Sequence, residues 1–131
     1  MREIKYIAWD KETKQMCIVQ YLTVDLHICQ IWNGKNGDIP DDENEGIMVR
    51  DWNDVELMQY TGLHDKKEVE IYEGDIVKVQ IGKFNKKERF KTNGEVRFDE
   101  EKLQFMLGYV PLSEVVKPEV IGNIYENKEL L

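Results

Sequence analysis

With 131 residues, 41% of them hydrophobic, and a formal net charge of -8, the chain is large enough for one core of ordinary size or two small barrel-like lobes sharing a seam. The acidic balance excludes a protein that coats nucleic acid through a generally cationic surface, because such binding depends on neutralising phosphates; only a local basic patch is left for that role.

The residues Ile4-Lys5-Tyr6-Ile7-Ala8-Trp9 are rich in β-branched and aromatic types and end at the charged stretch Asp10-Lys11-Glu12-Thr13-Lys14. A second apolar run, Met16-Cys17-Ile18-Val19, follows, so a β-hairpin is expected, with Trp9 anchoring the core. A third strand is expected from Leu26 to Trp32, with Leu26, Ile28 and Gln30 on one face and His27, Cys29 and Ile31 on the other. Most of both faces is apolar, which places this strand inside the fold or at a subunit contact. The segment from Asn33 to Glu45 concentrates turn formers and carboxylates and reads as a solvated acidic loop; its Asp38, Asp41 and Asp42 do not have the spacing of a calcium loop.

Ile47 to Arg50 is a short strand candidate. The stretch Val55 to Leu63 stays open between one helical turn, capped by Asn53 or Asp54 and stopped by Gly62, and a strand. His64-Asp65-Lys66-Lys67-Glu68 reads as a polar turn, and the next feature is Ile71-Tyr72-Glu73-Gly74-Asp75-Ile76-Val77. There Gly74 supplies positive φ, Asp75 supplies a backbone acceptor, and a strand begins. The second half continues as strands at Asp75 to Ile81, Thr92 to Phe98, Leu103 to Leu107 and Val120 to Tyr125, with one helical turn near Pro111 to Val116. Such spacing predicts a mainly β protein in which an N-terminal hairpin and strands pack with a small antiparallel, SH3-like barrel. One unit spanning 1–131 is expected, with lobes 1–70 and 71–131.

No catalytic motif accompanies these elements. Two cysteines, Cys17 and Cys29, with His27 and His64 are too few and too scattered for a metal site, and the glycines form no phosphate-binding loop. No enzyme activity, cofactor or metal is therefore expected. The start Met1-Arg2-Glu3-Ile4-Lys5 lacks the apolar core of a signal peptide, and no uncharged run approaches the roughly 18 residues of a membrane span. A cytoplasmic protein without a membrane partner is expected.

Charge is unevenly placed. Lys83, Lys86, Lys87, Arg89 and Lys91, with Phe84 and Phe90 interleaved, reverse the acidic balance locally. Cations beside aromatic faces suit single-stranded nucleic acid, against the plainer reading of a hairpin loop kept soluble by lysines. The acidic stretch Asp38 to Glu56 is its counterpart, and opposite charges on one chain can meet between identical subunits.

Four ordered blocks go further: Ile4-Lys5-Tyr6-Ile7-Ala8-Trp9-Asp10-Lys11, Leu57-Met58-Gln59-Tyr60-Thr61-Gly62-Leu63-His64-Asp65, Glu70-Ile71-Tyr72-Glu73-Gly74-Asp75-Ile76-Val77, and Val120-Ile121-Gly122-Asn123-Ile124-Tyr125-Glu126-Asn127. In this order and spacing they resemble the YopX protein family. That resemblance implies a small, β-rich accessory protein of phages and prophages, mainly of Gram-positive bacteria, acting in the bacterial host cell. The family has no assigned biochemical function and offers no catalytic residue to carry over. The expectation is a homo-oligomer, or a module for a host or phage protein partner, with nucleic-acid binding through residues 83–91 as the alternative.

Overall fold

The computed structural model describes residues 3–32, 47–80 and 91–131, with the backbone alone for Gln80, Lys91 and Thr92. The described residues are mainly β, as expected. The contacts within the chain divide it between Gln59 and Tyr60, into Ile4–Gln59 and a second unit made largely of Tyr60–Leu131.

In the first unit, β1 (Tyr6–Asp10), β2 (Gln15–Thr23), β3 (Ile28–Trp32) and β4 (Ile47–Asp51) form an antiparallel meander, and the first half of β5 (Val55–His64) pairs with β1 on the other side. The expected hairpin is present, with Ala8 opposite Cys17 and Trp9 opposite Met16. Ala8 also lies opposite Leu57 of β5, a non-local pairing that settles the open stretch from Val55 as a strand. The helical turn considered there does not form; a separate 3-10 turn lies just before the strand, at Trp52–Asp54, and its cap is Asp51 rather than Asn53 or Asp54, the Asp51 side chain accepting the Asn53 N–H at 2.9 Å. One face of this sheet carries the core: Ala8, Cys17, Cys29, Ile31 and Val55, flanked by Val19, Leu22, Met48, Trp52 and Leu57.

Strand β2 cannot serve that face by simple alternation. The register shifts between Val19 and Tyr21, and the extra residue lets Leu22 follow Cys17 and Val19 inward while Tyr21 turns out. The hairpins β1–β2 and β2–β3 each end on a non-glycine residue with positive φ, Lys14 at 55° and His27 at 51°. His27 therefore lies outside β3. The strand-face pairing of His27 with Cys29 read from the sequence does not form, because the turn reverses the chain at His27. Its ring instead stacks on Trp52, with centroids 5.1 Å apart, and Cys29 is fully buried.

In the second unit, β6 (Glu70–Tyr72) pairs with the end of β5, Tyr60 opposite Tyr72. A second sheet follows in the order β10-β9-β8-β7-β11, built from β7 (Asp75–Gln80), β8 (Lys91–Asp99), β9 (Gln104–Leu107), β10 (Val110–Pro111) and β11 (Glu119–Asn123). The first four strands form a meander. After a 3-10 turn at Leu112–Glu114 the last strand returns beside the first, the arrangement expected of the small antiparallel barrel. Its core is Ile71, Val77, Val79, Val96, Leu107 and Leu112, with Phe105, Val115 and Val120 against it. Among the described residues no helix is long and apolar enough to cross a membrane.

Candidate interaction surface

The two faces of the first unit's sheet follow from its registers. Tyr21 lies opposite Gln30, and Gln30 opposite Val49, so the three form one row across β2, β3 and β4 on the face away from the Ala8–Cys29 core. Ile18, Trp32 and Ile47 form the next row, and Ile7 on β1 continues it. A sheet facing water on one side normally alternates apolar and polar residues. Here the outward face is apolar as well. Trp32 is buried, but Tyr21 is 68% and Val49 59% exposed, and Ile18 is at the margin of exposure. Val24 and Leu26, in the turn between β2 and β3, add two exposed aliphatic side chains next in sequence to these strands. Gln30 is the polar member of the row and is held by a 3.0 Å hydrogen bond from its amide to Gln20 Oε1.

Strand β4 is the last strand of this ladder, so among the described residues its outer edge pairs with no other strand. Side chains and backbone therefore converge on one region able to receive a strand or a flat apolar surface. On the opposite face a buried ion pair ties β4 to β1. Arg50 of β4 reaches back to Asp10 at the end of β1, with Nε 3.0 Å from Oδ1 and Nη2 3.3 Å from Oδ2. Asp10 is fully buried and also accepts from Thr13 Oγ1 at 2.6 Å. Burial would raise its pKa, but the hydrogen bonds from Arg50 and Thr13, the Arg50 charge and the Glu12 N–H together hold the carboxyl below its ordinary value.

Other residues singled out in the sequence fare differently. Lys83, Phe84, Lys86, Lys87, Arg89 and Phe90 lie outside the described residues, as does the acidic loop from Asn33 to Glu45. Lys91 is the first residue of β8, where its backbone pairs with Gln80. His64 and Asp65 do not act on each other. His64 closes β5 with its ring near the Tyr60 hydroxyl, at 3.4 Å, whereas Asp65 is buried and accepts three backbone N–H groups, from Lys67 at 2.7 Å, Val69 at 2.9 Å and Val120 at 3.0 Å. Cys17 and Cys29 are buried free thiols, and burial pushes both up to about 11. No group of three or more metal-ligating side chains occurs among the described residues.

The expected turn chemistry at Gly74 and Asp75 is present. Gly74 has φ 86°, and Asp75 Oδ2 accepts the Tyr72 N–H at 2.8 Å. Asn123 holds the corresponding turn after β11, accepting from the N–H groups of Tyr125 and Glu126. Reading the residues one at a time missed the outward apolar row, because the bulge in β2 decides which of Tyr21 and Leu22 faces out. The doubly apolar character of β3 was the one signal for it.

Fold and surface together define a mainly β protein of two antiparallel sheets with an apolar outward face on the first. The model of the YopX protein family matches residues 5–131, nearly the whole chain, and the chain belongs to that family. It is also similar to protein EF1440 from Enterococcus faecalis, known from a crystal structure, with 26% identity, a TM-score of 0.64 and coverage of 100% of this chain and 99% of that one. No curated protein matches it.

Proposed function

We propose that the protein is a non-enzymatic β module that associates with itself or with a protein partner, serving as a phage or prophage accessory protein in the cytoplasm of the host cell. The observation that carries this reading is the exposed Tyr21–Gln30–Val49 row beside the outer edge of β4. Apolar area left in water on a sheet face is stabilised by covering it, at about 25 cal/mol per Å². The carboxylates of Asp10 and Asp65 support a non-catalytic role, since both are buried and spend their acceptor capacity on holding turns and strands. The phage setting rests on the family.

The second reading, a module for single-stranded nucleic acid, is favoured by the cations and phenylalanines of residues 83–91. One experiment separates the two. Tagged protein, wild type or Tyr21→Glu, is used to capture an untagged copy and host proteins from cells during prophage induction, with and without nuclease. Nuclease-resistant capture that Tyr21→Glu abolishes supports the interaction surface. Capture lost on nuclease treatment, or unchanged by the substitution, overturns it.

A further inference from the structure

The second unit buries two carboxylates that the proposed surface does not use. Asp65 opens the turn after β5 and Asp75 opens β7; both are nearly removed from solvent. Their surroundings differ. Asp65 is ringed by the N–H groups of Lys67, Val69 and Val120, which favour its charge, and its carboxyl is held below the ordinary value despite burial. Asp75 accepts one backbone N–H, that of Tyr72, and shares the face of β7 that carries the core residues Val77 and Val79. The turn between them is stitched to both neighbouring strands. Gly74 donates its N–H to Val96 O of β8 at 2.9 Å and accepts the Ile124 N–H, just beyond β11, at 3.0 Å. Asp65 fixes the other end of β11 through Val120.

The charged groups on the elements around Asp75 are mostly acidic. Glu70 and Glu73 lie in and after β6, Glu95 on β8 is paired with Arg97, Glu119 on β11 is paired with Lys66 and Lys67, and Lys78 follows on β7 itself. On β11 the residue opposite Asp75 is neutral Asn123. We propose that Asp75 forms a proton-sensitive clasp: a proton on Asp75 lets the β6–β7 turn stay seated against β8 and β11, and loss of that proton loosens it. Burial, opposed by the Tyr72 N–H and aided by the Asp65 charge, pushes the Asp75 carboxyl up to about 7, so the clasp responds around neutral pH.

The sign follows from proton linkage. The folded state keeps the Asp75 proton up to about pH 7, while the unfolded chain releases it near the ordinary value of 3.8. Opening that exposes Asp75 therefore releases a proton and becomes easier as pH rises, by about tenfold per pH unit until the folded-state carboxyl itself ionises. The test is amide hydrogen exchange at Val120 and Ile124, corrected for intrinsic exchange, from pH 5 to pH 8, together with the carboxyl carbon shift of Asp75 in the wild-type protein. The clasp requires the Asp75 carbon to titrate near neutrality. It also requires wild-type protection to fall about tenfold per unit up to about pH 7, while Asp75→Asn, which keeps an acceptor for Tyr72, removes that dependence. An Asp75 carbon that titrates in the ordinary carboxylate range overturns the proposal, as does the same pH dependence in wild type and Asp75→Asn.

Discussion

Removing the carboxylate of Asp10 tests what holds β4 in place. Asp10 is fully buried, and Arg50, whose side chain is only 15% exposed, makes two hydrogen bonds to it across the sheet. Truncation by Asp10→Ala leaves the guanidinium without its main counter-charge, and breaking one side of such a buried pair costs about 3–5 kcal/mol. Asp10 also accepts from the Thr13 hydroxyl and from the N–H groups of Glu12 and Thr13 in the β1–β2 turn. Those N–H contacts are long, at 3.4 Å each, so they add little. A total near 4 kcal/mol is expected. Arg50→Met removes the charge that Asp10 faces and costs somewhat less, because Thr13 still satisfies one carboxylate oxygen. The double variant should cost clearly less than the sum, with a coupling above roughly 1.5 kcal/mol, since no charge is then stranded. Urea unfolding followed by tryptophan fluorescence is the suitable assay: Trp9, Trp32 and Trp52 all belong to Ile4–Gln59, and residues 60–131 contain none. The pair also has a pH signature. Because the Asp10 carboxyl is depressed in the folded state, its contribution is complete above the unfolded value of 3.8 and is lost as pH falls through the lower folded value. A loss under about 1 kcal/mol for Asp10→Ala, or strict additivity in the double variant, would refute this account of β4.

Two further predictions concern positions buried by the fold. The thiols of Cys17 and Cys29, both raised to about 11, should react with a disulfide reagent at pH 8 only as the protein unfolds, and in full once denaturant is added; prompt labelling of the native protein would show that they are accessible. Gly122→Ala should destabilise the second unit by about 1–3 kcal/mol, since its new methyl would lie 2.5 Å from Asn127 Oδ1, which accepts the Asn123 N–H. Amide exchange in β7 and β11 measures this cost, and unchanged protection would count against the bulge geometry at Gly122.

Local pattern made the hairpin legible. Tyr6 to Asp10 and Gln15 to Thr23 are rich in β-branched and aromatic residues around a polar turn, and nothing distant is needed to make them pair. The stretch from Val55 was not decidable in the same way, because its strand state depends on Ala8, far off in sequence, lying opposite Leu57. A one-residue bulge was equally hidden. Strict alternation would put Tyr21 on the same face as Cys17 and Val19, whereas the shifted register sends Leu22 there and leaves Tyr21 as part of the candidate surface. Asp65 reads as a solvated turn residue among lysines, yet it is buried because one of its donors, the Val120 N–H, arrives from the last strand. Asp75 was legible as a turn acceptor but not as a buried carboxyl with a single N–H donor. That burial belongs to the tertiary fold.

In the proposed function the outward row of β2, β3 and β4 is covered by another protein surface, a second copy in the simplest case. Sedimentation velocity of the wild-type protein and of Val49→Glu, at pH 7 and over a hundredfold range of concentration, tests it most directly. The wild-type sedimentation coefficient should rise with concentration above the monomer value, and the Val49→Glu variant, folded by circular dichroism, should stay monomeric throughout. A wild-type protein that remains a strict monomer across the range, or a variant that assembles equally well, would contradict self-association through this face.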